Sequence, residues 1–145
     1  MIPSDTISEI LSQKGPQVWT VSPDIMVFDA IQLMADKNIG ALVVTENGKL
    51  VGIMSERDYT RKIALKGKSS KQTPVREIIS GKVVSAAPSH TVEDCMRLMT
   101  ERRIRHLPVV ERGRVLGVIS IGDLVKAVIE DQKQTIEQLE SYIHS

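Results

Sequence analysis

The chain has one cysteine, Cys95, so no internal disulfide framework holds it together. Aromatics are scarce: Trp19, Phe28, Tyr59 and Tyr142 are the full set. The core is therefore expected from Val, Ile, Leu, Met and Ala. Three histidines, His90, His106 and His144, together with Cys95 give no metal-ligand spacing. No apolar run approaches the roughly 20 residues of a membrane-spanning helix. The start, Met1-Ile2-Pro3-Ser4-Asp5, has no basic residue ahead of an apolar stretch, so no export signal and a cytoplasmic location are expected. An excess of charge is also missing. Nineteen Lys and Arg stand against 18 Asp and Glu in 145 residues, a net charge of +1. That balance disfavours a dedicated nucleic-acid binder, and 41% hydrophobic residues disfavour a disordered chain.

What the chain does have is an uneven charge. Residues 57–114 carry 14 Lys and Arg against six Asp and Glu, a local +8, and the remainder is −7. A nearly neutral protein with a basic middle can hold a small anion there.

It also has an internal repeat. At an offset of 65, residues 23–58 align with 88–123 without a gap, and 13 of 36 pairs are identical. Upstream, Ile7-Ser8-Glu9-Ile10 matches Val75-Arg76-Glu77-Ile78 once three residues are inserted. Each copy predicts a short strand (18–21; 83–86), a helix (27–37; 92–102), a hairpin and a second helix beginning at Ser55 or Ser120. Asn47-Gly48 and Arg112-Gly113 are the hairpin turns. Thr91 and Asp94 form an expected capping box. In the last helix Ile129, Gln132, Ile136, Leu139 and Ile143 are spaced 3, 4, 3, 4, a narrow heptad seam that favours a homodimer.

The duplicated grammar, closed in each copy by Gly52-Ile53-Met54-Ser55-Glu56-Arg57-Asp58 and Gly117-Val118-Ile119-Ser120-Ile121-Gly122-Asp123, resembles the cystathionine β-synthase (CBS) domain family. Ile104-Arg105-His106-Leu107-Pro108-Val109-Val110 and Thr20-Val21-Ser22-Pro23-Asp24 add to the resemblance, as does Lys37-Asn38-Ile39-Gly40-Ala41-Leu42-Val43-Val44, a run shared with stand-alone bacterial CBS-pair proteins. The fold it implies is α/β: two pseudo-symmetric β-α-β-β-α CBS repeats packed as one CBS pair (Bateman module), with an extended C-terminal helix. The expected bounds are 5–66 for the first domain, 67–74 for a linker, 75–130 for the second domain and 131–145 for the extension.

The resemblance further implies adenine-nucleotide binding (AMP, ATP or NAD(H)) between the copies, without catalysis. Asp58 and Asp123 would hold ribose, while Ser55, Arg57, Ser120, Arg105 and His106 would serve phosphate. From the residues alone, Ser-x-x-Asp at 55–58 and 120–123 reads equally as two capping boxes, and a helix start also suits an anion. Candidates for an apolar adenine slot are Val18, Val21, Ile39, Val118 and Ile119, with Ala41 beside them and Thr20 and Ser85 able to bond the base or sugar. The slot is expected to be aliphatic. Arg61 and Lys62 read as a solvated face. The half with Arg105 and His106 is expected to be more cationic, and the half with Gly40 and Ala41 roomier.

Three other signals lead nowhere. Gly67-Lys68-Ser69 ends like a P-loop, but Lys62 occupies the required glycine position. No G-x-G-x-x-G occurs. Cys95 falls on a helix's apolar face and reads as core rather than nucleophile. The expected role is a nucleotide sensor acting through an unidentified partner protein. The rivals are a purely structural dimerisation module and, further off, a nucleic-acid binder.

Overall fold

The computed structural model describes residues 5–79 and 82–144; the Met1–Ser4 start and Ser145, the end of the expected extension, lie outside them. Helix α1 (Ile7–Lys14) is followed by β1 (Thr20–Val21), α2 (Val27–Lys37) and the hairpin β2 (Ala41–Glu46)–β3 (Lys49–Ser55). A short α3 (Glu56–Tyr59) widens into a π turn at Thr60–Ala64, and a 3-10 turn at Val75–Glu77 opens the second copy. Then come α4 (Val92–Arg102), the hairpin β4 (His106–Glu111)–β5 (Arg114–Ser120) and the long α5 (Ile121–His144). Helices α2 and α4 match the expected bounds. Both hairpins turn with consecutive positive φ, at Asn47 and Gly48 (54° and 77°) and at Arg112 and Gly113 (51° and 79°). This is the turn whose twist suits paired strands.

The first sheet has order β1-β2-β3, with β1 parallel to β2. The second keeps only its hairpin. The strand expected at 83–86 is reduced to a single bridge between Ala86 and Val109. Proline explains the loss. In the first copy the Val43 amide donates to the Trp19 carbonyl (3.3 Å). The equivalent of Val43 is Pro108, which has no N–H to donate.

Two cores form, and their membership crosses the repeat boundary. Ile7 and Ile10 of α1 are buried with Val92, Cys95, Met99, Leu107 and Ile119 of the second copy. Val75 and Ile78 are buried with Val27, Met34, Leu42 and Met54 of the first. The backbone repeats the exchange. The Ile7 amide bonds the His90 carbonyl (2.8 Å) and the Ser8 amide that of Pro88 (3.0 Å). The Val75 and Arg76 amides bond the equivalent carbonyls of Ile25 (2.9 Å) and Pro23 (2.8 Å). Each leading segment thus completes the other copy.

This exchange explains the glycine of the G-h-h-S-x-x-D motif. A Cβ on Gly117 would lie 2.7 Å from Leu11 Cδ2, and one on Gly52 would lie 2.8 Å from Ile79 Cδ1. The exchanged segments press on both strands where any side chain would stand.

Cys95 is fully buried, and burial, with a smaller contribution from the Asp94 charge, pushes its thiol up to about 11. Among the described residues no helix is long and apolar enough to cross a membrane.

Candidate functional site

The two Ser-x-x-Asp sequences fold as the capping boxes their spacing predicts. The Ser55 amide donates to Asp58 Oδ2 (2.9 Å), and the Asp58 amide donates to Ser55 Oγ (3.3 Å). The Ser120 amide donates to Asp123 Oδ2 (2.8 Å), and the Asp123 amide to Ser120 Oγ (3.1 Å). One oxygen of each carboxylate is thereby held by its own backbone. The other oxygen can accept from hydroxyl donors such as a vicinal diol.

Each box lines a cleft whose opposite wall comes from the other copy. The first cleft, about 530 Å³, joins Ser55, Arg57 and Asp58 to Val83, Val84 and the Arg103–His106 loop. The second, about 470 Å³, joins Ser120, Asp123 and Val118 to Val18, Trp19 and the Asn38–Ala41 loop. The two loops are pseudo-equivalent, each linking α2 or α4 to the following hairpin. Gly40 and His106 line both clefts and form a shared wall. A Cβ on residue 40 would sit 3.2 Å from His106 Nε2, so the glycine makes room for the imidazole.

The electrostatics of the two clefts differ. Around Asp58 stand Arg57, Arg61, Lys62, Lys82, Arg103 and Arg105, with Glu56 as the second carboxylate. Lys62 lies 3.4 Å from Asp58 Oδ1 and also donates to the Ile78 carbonyl. Arg57 donates to the Arg103 carbonyl (3.2 Å), tying the copies together. Around Asp123 the cations are Lys14 and Lys37. Lys14 bonds Asp123 Oδ2 (2.8 Å) and the Val118 carbonyl (2.7 Å), while Lys37 sits 4.4 Å above the Trp19 ring. Burial pushes the Asp123 carboxyl up, but Lys14 and the Ser120 amide pull it back, and the net is below the ordinary range. For His106, burial and then the Lys14 charge favour the neutral imidazole; Asp123 and Glu56 oppose them, and Arg105 adds to the lowering.

The structure therefore brings Ser55, Arg57, Asp58, Arg105 and His106 to the first cleft. It brings Val18, Ile39, Ala41, Val118, Ser120 and Asp123 to the second. Thr20, Val21 and Ser85 line neither of these two clefts, and Ile119 is fully buried in the second core, facing β4. Val21 packs against the first core, and Thr20 and Ser85 are exposed. Arg61 and Lys62, in the π turn that follows α3, line the wall of the first cleft while Arg61 stays exposed and Lys62 half-buried. Two expectations change. The cleft holding Arg105 is the larger of the two, not the one holding Ala41. The aliphatic slot describes the first cleft, with Ile53, Val83, Val84 and Ile104, whereas the second has Trp19 in its wall.

Sequence reading missed Lys14, Trp19, Lys82 and Arg103. One signal could have found the lysines: extended four residues, the upstream match pairs Lys14 with Lys82, and these two line opposite clefts. Among the described residues no group of three or more side chains is arranged to hold a metal ion.

Comparison with known proteins places these clefts in context. The model of the CBS domain matches residues 7–65 and 75–130. CBS domain-containing protein CBSX3, mitochondrial, of Arabidopsis thaliana is 40% identical over 97% of this chain and 72% of its own. A solved protein with CBS domains from Burkholderia ambifaria MC40-6 is 50% identical, with a TM-score of 0.84 over 88% of this chain and 96% of that one. The CBS domain pair of protein MJ0100, solved with 5′-methylthioadenosine and S-adenosyl-L-methionine, is 25% identical, with a TM-score of 0.75 over 86% of this chain and 95% of that one.

Proposed function

This chain belongs to the CBS domain family, carrying two copies of the domain, and we propose that it is a non-enzymatic regulatory module for adenine nucleotides. AMP is the first candidate ligand, with ATP or NAD(H) as the others. Asp58 and Asp123 take the ribose, and Arg57, Arg105, His106 and the two capping serines serve the phosphate. The observation that carries this reading is the composite build of each cleft, a carboxylate from one copy facing a loop from the other. A ligand lodged there touches both copies and favours the relative pose that fits it. Such differential affinity is what a sensor needs to shift a population. The adenosine ligands of the MJ0100 pair support the ligand class. Output passes to a partner protein, and the compartment proposed is the cytoplasm.

A thermal-shift panel tests the reading. A nucleotide at a hundred times its Kd stabilises the chain by about 2.7 kcal/mol, a rise in Tm of several degrees. If AMP, ATP, NAD and NADH all leave Tm unmoved, the sensor reading falls and the structural module takes its place.

The same chain is proposed to act as a homodimer through α5. Ile129, Ile136, Leu139 and Ile143 are each more than half exposed along one seam of that helix. Ile136→Glu would put a charge in the middle of the seam, and sedimentation equilibrium should then return the monomer mass. A wild-type chain that already sediments as a monomer refutes this arrangement.

A further inference from the structure

We infer that the two clefts are sorted by charge: the cleft around Asp58 takes a ligand bearing two or more phosphates, and the cleft around Asp123 takes a nucleoside bearing at most one. The inference rests on the adenine-nucleotide reading for the nucleoside part only.

Pseudo-symmetry makes the comparison direct, because each residue has an equivalent position in the other copy. Arg103 stands where the second cleft has Asn38, and Arg105 where it has Gly40. On the facing wall Arg57 corresponds to Gly122, and Lys62 to Ala127. In all four the first-cleft residue is a cation and its counterpart is neutral; the one difference of opposite sign is Glu56, whose counterpart is Ile121. Lys62 is held at Asp58 as Lys14 is at Asp123, but the arginines of the first cleft are not so engaged. Among the described residues Arg61, Arg103 and Arg105 form no ion pair, and Arg57 uses one N–H on a carbonyl. In the second cleft Lys14 is engaged by Asp123 and Lys37 by the Trp19 ring. A polyphosphate in the first cleft meets uncommitted guanidinium groups, which suit phosphate oxygens bidentately. In the second it would have to draw Lys14 off its carboxylate.

Trp19 is the only tryptophan, and it lines the second cleft, so its fluorescence reports that site alone. The test titrates the full chain with inorganic tripolyphosphate, adenosine and ATP by calorimetry, with Trp19 emission followed in parallel. Tripolyphosphate should bind once per chain, leave Trp19 emission unchanged and weaken as salt rises. Adenosine should change the emission. The double variant Arg103→Asn, Arg105→Gly gives the first cleft the residues the second already has. Asn38 shows that asparagine accepts the left-handed backbone present at Arg103 (φ 54° and 55°). This variant should bind tripolyphosphate and ATP at least tenfold more weakly, with the adenosine-induced Trp19 change intact. Gly122→Arg, whose Cβ would meet only Ser120 Oγ at an ordinary 3.5 Å, should make Trp19 respond to tripolyphosphate.

Two equal tripolyphosphate sites, a Trp19 response to tripolyphosphate in the unmodified chain, or no tripolyphosphate binding overturns the sorting. So does an unchanged affinity in the double variant. If adenosine fails to bind while tripolyphosphate behaves as stated, the adenine reading fails and the polyphosphate site stands.

Discussion

Asp123→Asn should weaken nucleoside binding at the second cleft by about 1.5–3 kcal/mol, roughly ten- to a hundredfold. The asparagine keeps the shape and one oxygen acceptor, so the capping bond to the Ser120 amide can persist while the charged acceptor for hydroxyl groups is lost. The neighbouring ion pair breaks with it, because Lys14 then faces a neutral amide. Calorimetry with adenosine, read alongside Trp19 emission, measures the loss. Asp58→Asn should leave the Trp19 response in place, since that residue lines the other cleft. Unchanged affinity in both variants would show that the carboxylates serve only as caps.

Acid supplies an independent check on Asp123. Its folded-state value lies below the ordinary 3.8, so its carboxylate contributes stability that is fully present above that value. The contribution is lost as pH falls through the lower, folded value. The unmodified chain should therefore lose more stability below about pH 4 than the Asp123→Asn variant does.

Ile7→Ala should destabilise the chain by about 2–5 kcal/mol, a large share of the 5–15 kcal/mol that holds a domain folded. Ile7 is fully buried, although it precedes the first repeat's own strand and helix. The site of the damage is the informative part. Ile7 packs among Val92, Cys95, Met99 and Leu107, so hydrogen exchange should rise first in β4 and β5. Val75→Ala should loosen the opposite sheet, β1 to β3, because Val75 packs with Val27, Leu42 and Met54. Urea melts followed by amide exchange distinguish the two. If Ile7→Ala loosens the first sheet instead, the exchanged packing is wrong.

Much of the local structure was legible because it is governed by short-range chemistry. Apolar spacing set the limits of α2 and α4, and Asn47-Gly48 and Arg112-Gly113 are turn sequences with a known backbone preference. The Ser-x-x-Asp spacing dictated both capping boxes, since the side chain three residues on is the one that reaches the N-cap amide. Pro108 marks where such reading needs a partner strand: its missing N–H matters only because the segment ending at Ala86 runs beside it, and so the strand expected at 83–86 shrank to one bridge.

The sequence by itself determined the duplication, the two carboxylates at helix starts, the basic middle segment and the absence of disulfide, P-loop or metal spacing. These are properties of residue identity and of separations along the chain. Only the tertiary structure decided which copy each leading segment completes, and hence why a side chain at Gly52 or Gly117 would press on Ile79 or Leu11. It alone joined Asp58 to Arg103 and Arg105, and Asp123 to Lys14 and Trp19. The physical reason is that each cleft is a contact between copies about 65 residues apart. No local periodicity encodes that distance; it is set by two apolar cores, each closed by a segment of the other copy.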